Sequence, residues 1–126
     1  FFIIYAASLV FFMQAGFAMI CAGSVRRKNV QNTMLKNLLD ACGAALAYFS
    51  VGYGFSFGGE STGKTFIGNG NFFLIGLDVH DEYCYWLFQF AFAATAATIV
   101  AGTMAERCQM KSYLLYSIFL TGFVYP

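Results

Sequence analysis

Residues 1–25 contain not one Asp, Glu, Lys or Arg, and Arg26, Arg27 and Lys28 then end that stretch abruptly. A helix needs about 20 mainly apolar residues to cross a bilayer, so this segment alone directs the chain into lipid. A cleaved secretory leader does not fit: there is no basic n-region, and the apolar stretch is too long for an h-region. The rest of the chain agrees. Only 10% of its residues are charged and its mean hydropathy is +0.65, against about 25% charged in ordinary soluble domains.

Charge placement divides the remainder. Residues 29–37 read as a short polar connection with Lys36 near its end. Residues 38–59 read as a second span whose only charge is Asp40, and residues 60–82 as a loop rich in Gly, Asn and acids. Residues 83–105 are again uncharged and read as a third span, closed by Glu106, Arg107 and Lys111. Residues 112–126 carry no charge but are too short to cross, so they read as the start of a fourth span. The expected architecture is an all-α, polytopic membrane helical bundle. Both termini fall in apolar runs, so residues 1–126 are expected to be part of a longer membrane domain.

Orientation follows from Lys and Arg in the short loops, which favour the cytosol. The first connection holds Arg26, Arg27, Lys28 and Lys36, and the third holds Arg107 and Lys111; the second holds only Lys64. The 60–82 loop and the N-terminus are therefore expected outside. Tyr83, Tyr85 and Trp86 at the outer end of span three, with Tyr113 and Tyr116 at the inner start of span four, fit aromatic anchoring at headgroup level. Span three is also rich in small residues, among them Ala91, Ala93, Ala94, Thr95, Ala97, Thr98 and Ala101. Small side chains let helix backbones approach closely in lipid, so this span is expected inside the bundle.

Several function classes lack support. No basic cluster is large enough to hold a nucleic-acid backbone. Cys21, Cys42, Cys84 and Cys108 make no CxxC pair, and the single histidine, His80, lies near Cys84 alone, so no metal site is expected. His80 stands among Asp78, Asp81 and Glu82, which reads as a solvated acidic loop. Residues 58–65 satisfy the phosphate-loop pattern, but that chemistry requires a strand before the loop and a helix after it. Here a membrane span precedes it and a poor helix follows, so no nucleotide is expected. No nucleophile, base and orienting acid occur together; the chain is not expected to be an enzyme or to carry a cofactor.

Polar residues within the spans carry more information, because such groups face a bundle interior or a water-filled path. They are Gln14, Asp40 and Gln89. Structural roles are open to all three: bonds across helices for the glutamines, and pairing with Lys36 one turn earlier for Asp40. Phe88 and Phe92, four residues apart, share one helix face, with Gln89 beside them. Aromatic faces attract a small cation through their quadrupole. Contact with lipid is the alternative for both rings, and composition does not choose between the two.

The run Phe12-Met13-Gln14-Ala15-Gly16-Phe17-Ala18-Met19, continued by Gly23-Ser24-Val25-Arg26-Arg27-Lys28-Asn29, resembles the first helix and following loop of the ammonium transporter family, in its eukaryotic, plant-like branch. So do Asn32-Thr33-Met34-Leu35-Lys36-Asn37 and Leu39-Asp40-Ala41-Cys42. Further blocks are Phe88-Gln89-Phe90-Ala91-Phe92-Ala93-Ala94-Thr95, Gly102-Thr103-Met104-Ala105-Glu106-Arg107 and Thr121-Gly122-Phe123-Val124-Tyr125-Pro126. The resemblance implies an eleven-helix, inverted-repeat transporter assembled as a homotrimer, which moves ammonium or ammonia across the plasma membrane without covalent chemistry. It supplies helices one to three and the start of four. It further implies that Phe92 is an outer gate residue, that Phe88 lines a recruitment site for ammonium, and that Gln89 is its polar neighbour. A Rhesus-type gas channel and an ammonium sensor are the related alternatives.

Overall fold

The computed structural model describes residues 1–59, 66–77 and 80–126, and every regular element among them is helical. Helix α1 (Phe2–Ser24) is uncharged throughout and exposes most of its side chains, burying only Ala7 and Cys21. Its 23 residues extend roughly 35 Å, enough for the hydrocarbon core of a bilayer. It ends at extended Val25 and Arg26, where the charges begin.

A second rod runs without a break over Arg27–Phe57: a short turn at Arg27–Asn29, helix α2 (Val30–Ala47), a π-helical turn at Tyr48–Gly52, and helix α3 (Tyr53–Phe57). This corrects the expected polar connection at 29–37, which is helical. The physical reason lies in the spacing. Thr33, Lys36, Asn37 and Asp40 fall at i, i+3, i+4 and i+7, which is one helix face, and all four are buried. The sequence reading assigned Thr33, Lys36 and Asn37 to a polar connection, whereas with Asp40 they turn toward neighbouring helices. The rod is also roughly 46 Å long for its 31 residues, so its first turns extend past a bilayer core of about 30 Å.

Helix α4 (His80–Met104) is the third long apolar helix, and α5 (Met110–Phe119) continues through a second π-helical turn at Leu120–Val124. Among the described residues, three helices are thus long and apolar enough to cross a membrane, with a shorter apolar one after them. α1 packs chiefly along α4, and α2 lies against α4 and α5. Ala91, Ala93, Ala94, Thr95, Ala97, Thr98 and Ala101 of α4 are buried, as the small-residue pattern led us to expect.

The two π-helical turns meet at paired glycines. A Cβ on Gly52 would stand 2.9 Å from the Thr121 carbonyl oxygen, and one on Gly122 would stand 3.2 Å from Val51 Cγ2. Absence of side chains there lets the second rod and the α5 rod touch backbone to backbone.

Polar side chains stitch the helices. Thr98 Oγ1 donates to Gln14 Oε1 at 2.8 Å, tying α4 to α1. Lys36 Nζ donates to the Ala105 and Cys108 carbonyls, 2.9 Å each, satisfying the end of α4. The Tyr113 hydroxyl donates to Asp40 Oδ2. Asp40 therefore takes Tyr113 as its partner in place of Lys36. Tyr113 is only 1% exposed, so it is a buried polar contact and not an interfacial anchor. Trp86 likewise turns inward, stacking on Phe90 at 5.8 Å.

Candidate functional site

At about 100° per residue, α4 presents two opposed faces. Trp86, Phe90, Ala93, Ala94, Ala97 and Ala101 form the face packed most closely on the other helices. Phe90 also meets Phe11 of α1 at 6.1 Å, and Trp86 meets Phe49 at 6.4 Å. The opposite stripe is Asp81, Tyr85, Phe88 and Phe92, at i, i+4, i+7 and i+11.

The structure places Phe88 and Phe92 together on that second face. Their rings pack edge to face, centroids 5.1 Å apart at 76°, an arrangement that suits the ring quadrupoles. Phe92 is 37% exposed. Among the described residues, these two rings stack only on each other. Gln89 borders the stripe, and its Nε2 donates to the Tyr85 hydroxyl at 3.1 Å. Gln89 thus bonds within its own helix, while Gln14 bonds across helices.

Sequence reading missed what lies one and two turns above. Tyr85 packs edge to face on Phe57 of α3 at 5.3 Å, and Phe57 lies 5.3 Å from Tyr53. These rings line a cavity of about 360 Å³ together with Asn71, Leu77, Asp81, Glu82 and Ile3. The available clue was the i, i+4 spacing of Asp81, Tyr85 and Gln89. The remaining wall comes from chain folding back on α3, where the Gly68 amide donates to the Phe55 carbonyl at 2.8 Å.

At the other end of α4, Glu106 Oε1 accepts from the Arg26 backbone amide at 2.9 Å and from Asn29 Nδ2 at 3.3 Å. The Arg26 amide, then the Asn29 amide, hold its carboxyl below the usual Glu range. This closes the connection after α1 onto the connection after α4.

No group of three metal-ligating side chains occurs among the described residues; the His80 side chain lies outside them. The phosphate-loop match begins after helix α3 and not after a strand, and its residues 60–65 lie outside the described residues. The four cysteines are free thiols, with Cys21 buried and Cys42 exposed.

Three apolar rods of membrane-crossing length, packed through small residues, define an integral membrane protein of the helical-bundle class. The sequence model of the Ammonium Transporter Family matches residues 1–126, and the chain belongs to that family. It is 47% identical over 121 residues to Ammonium transporter 3 of Dictyostelium discoideum, covering 96% of this chain and 27% of that protein. It is 53% identical over 108 residues to Ammonium transporter 1 member 2 of Oryza sativa subsp. japonica, covering 85% of this chain and 21% of the relative. Among solved structures it is similar to a Sensor Amt Protein, with a TM-score of 0.88 and 38% identity, over 98% of this chain and 31% of that one. The chain therefore spans about a quarter of the length of the curated relatives it matches. These relatives are named as transporters, so the family is one of transport proteins and not of enzymes.

Proposed function

We propose that this chain forms helices one to three and the start of helix four of an ammonium-transporting membrane protein, and that Phe88, Gln89 and Phe92 line the cation's path. The supporting observation is the edge-to-face Phe88–Phe92 pair, with the Phe92 ring exposed and an amide beside it. Aromatic rings in a low-dielectric setting attract a cation that is losing its water, and the amide offers hydrogen-bonding groups. Capture of NH4+ there, followed by passage through an apolar pore built with the rest of the protein, is the mechanism this arrangement favours. Lys and Arg placement supports an N-terminus on the side away from the cytosol, with α4 entering from that outer face, and the plasma membrane is the location that the family resemblance implies. A homotrimer of eleven-helix subunits is the assembly the family resemblance implies.

The structural relative named as a sensor protein supports a second reading, in which the same capture site reports ammonium to a signalling segment.

The test is methylammonium uptake by the full-length protein carrying Phe92→Ala or Phe88→Ala, at matched surface abundance. A lost cation–π contact predicts an apparent affinity lower by roughly threefold to thirtyfold. Wild-type KM and Vmax in both variants would remove these rings from the pathway.

A further inference from the structure

The cavity between the outer ends of the helices combines two features that the Phe88–Phe92 pair lacks. It has three aromatic rings in a chain, Tyr53 against Phe57 and Phe57 against Tyr85. It also has carboxylates at its edge, from Asp81 and Glu82 in the first turn of α4. Rings that attract cations and carboxylates that neutralise them are the recognition chemistry for an ammonium-type ion. The cavity's volume of about 360 Å³ accommodates such an ion with several waters, since each water takes about 30 Å³.

Its position relative to the proposed path is set by helix geometry. Asp81 and Tyr85 stand seven and three residues before Phe88 on the same face of α4. That puts the carboxylate about 10 Å, and the phenol about 5 Å, outward along the helix axis. Tyr85 touches both regions: its ring lines the cavity and its hydroxyl accepts from Gln89 beside Phe88.

We propose that this cavity is a second, outer cation station, which holds an ammonium-type cation in partly hydrated form before it reaches the Phe88–Phe92 rings. The proposal rests on the transport reading and on the outward orientation given above. Carboxylates in a helix's first turn also complement the helix dipole. That role alone gives them no effect on substrate concentration dependence, which is what separates the two accounts.

The experiment measures methylammonium uptake against concentration in the full-length protein, at low and at physiological ionic strength, with surface abundance determined for each variant. Asp81→Asn combined with Glu82→Gln is expected to raise KM about fivefold at low salt and leave Vmax in place. The gap should narrow as the Debye length falls from about 30 Å to about 8 Å. Tyr85→Leu is expected to raise KM about threefold at either salt; should it not reach the surface, Phe57→Leu tests the same wall with the same expectation. A carboxylate effect without an aromatic effect signifies diffuse surface charge and overturns the station. Wild-type KM in both sets overturns it as well. If Phe92→Ala still lowers affinity in that second case, the pathway reading stands while the outer station falls.

Discussion

Replacing Tyr113 with Phe removes one oxygen from the interior, and the structure assigns that oxygen a single role. Tyr113 and Asp40 are each 1% exposed. The phenol donates to Asp40 Oδ2, whereas Asp40 Oδ1 has no partner. In Tyr113→Phe the buried carboxyl group loses its phenol donor and keeps only the neighbouring Ser117 hydroxyl. A hydrogen bond to a charged group contributes about 1.5–3 kcal/mol net, and a buried acceptor left unsatisfied costs about 1–3 kcal/mol, more when it is charged. A loss of roughly 2–4 kcal/mol follows. The cause is desolvation without compensation, so replacing the partner too should restore part of the loss. Asp40→Leu with Tyr113→Phe should cost less than the two single changes summed, with a coupling energy of about 2 kcal/mol. Equilibrium unfolding of the purified full-length protein by SDS titration in mixed micelles measures all four corners of the cycle. A Tyr113→Phe protein within about 0.5 kcal/mol of wild type, or strictly additive single changes, would refute the reasoning.

Two further perturbations address other contacts. Gly52→Ala places a Cβ 2.9 Å from the Thr121 carbonyl oxygen and 2.6 Å from the Tyr48 ring; separating the two π-helical turns is expected to cost about 1–3 kcal/mol, read as a lower midpoint in the same titration. Acidification tests Glu106. Its folded-state pKa is depressed by the Arg26 amide and then the Asn29 amide, so its stabilising contribution is complete above the unfolded value, declines below it, and is gone once the pH falls beneath the folded value. Glu106→Gln should flatten that acid-side decline in stability, and an unchanged pH profile would show that the tie between the two connections is idle.

Absence of charge made spans one and three legible, and their observed ends lie within a few residues of the expected ones. Span two began well before its expected start for an intelligible reason. Its first turns carry Lys36 and Asp40, and charge is a sound guide to water only when the charged atoms lack internal partners. Lys36 has two carbonyls at the end of α4, some 70 residues away in sequence, and Asp40 has Tyr113. Local spacing favoured a Lys36–Asp40 pair because it cannot register either distant partner. The aromatic cavity was hidden for a related reason. One residue in five is aromatic, so rings offer no contrast, and the wall built by Tyr53 and Phe57 exists only once α3 is brought beside α4.

Phe88 and Phe92 stand where they do because of the face of α4 that carries no chemistry. In lipid there is no hydrophobic force to press helices together; close packing of small side chains and interhelical hydrogen bonds must hold them. Ala93, Ala94, Ala97 and Ala101 are buried along one side, and the Thr98–Gln14 bond pins the helix against α1. Those contacts fix the rotation of α4 about its axis. Once that rotation is fixed, Asp81, Tyr85, Phe88 and Phe92 share the opposite side with no freedom left to choose, since each residue advances about 100° around the helix. The alanines that read as mere packing and the phenylalanines that read as a candidate site are therefore two consequences of one helical register.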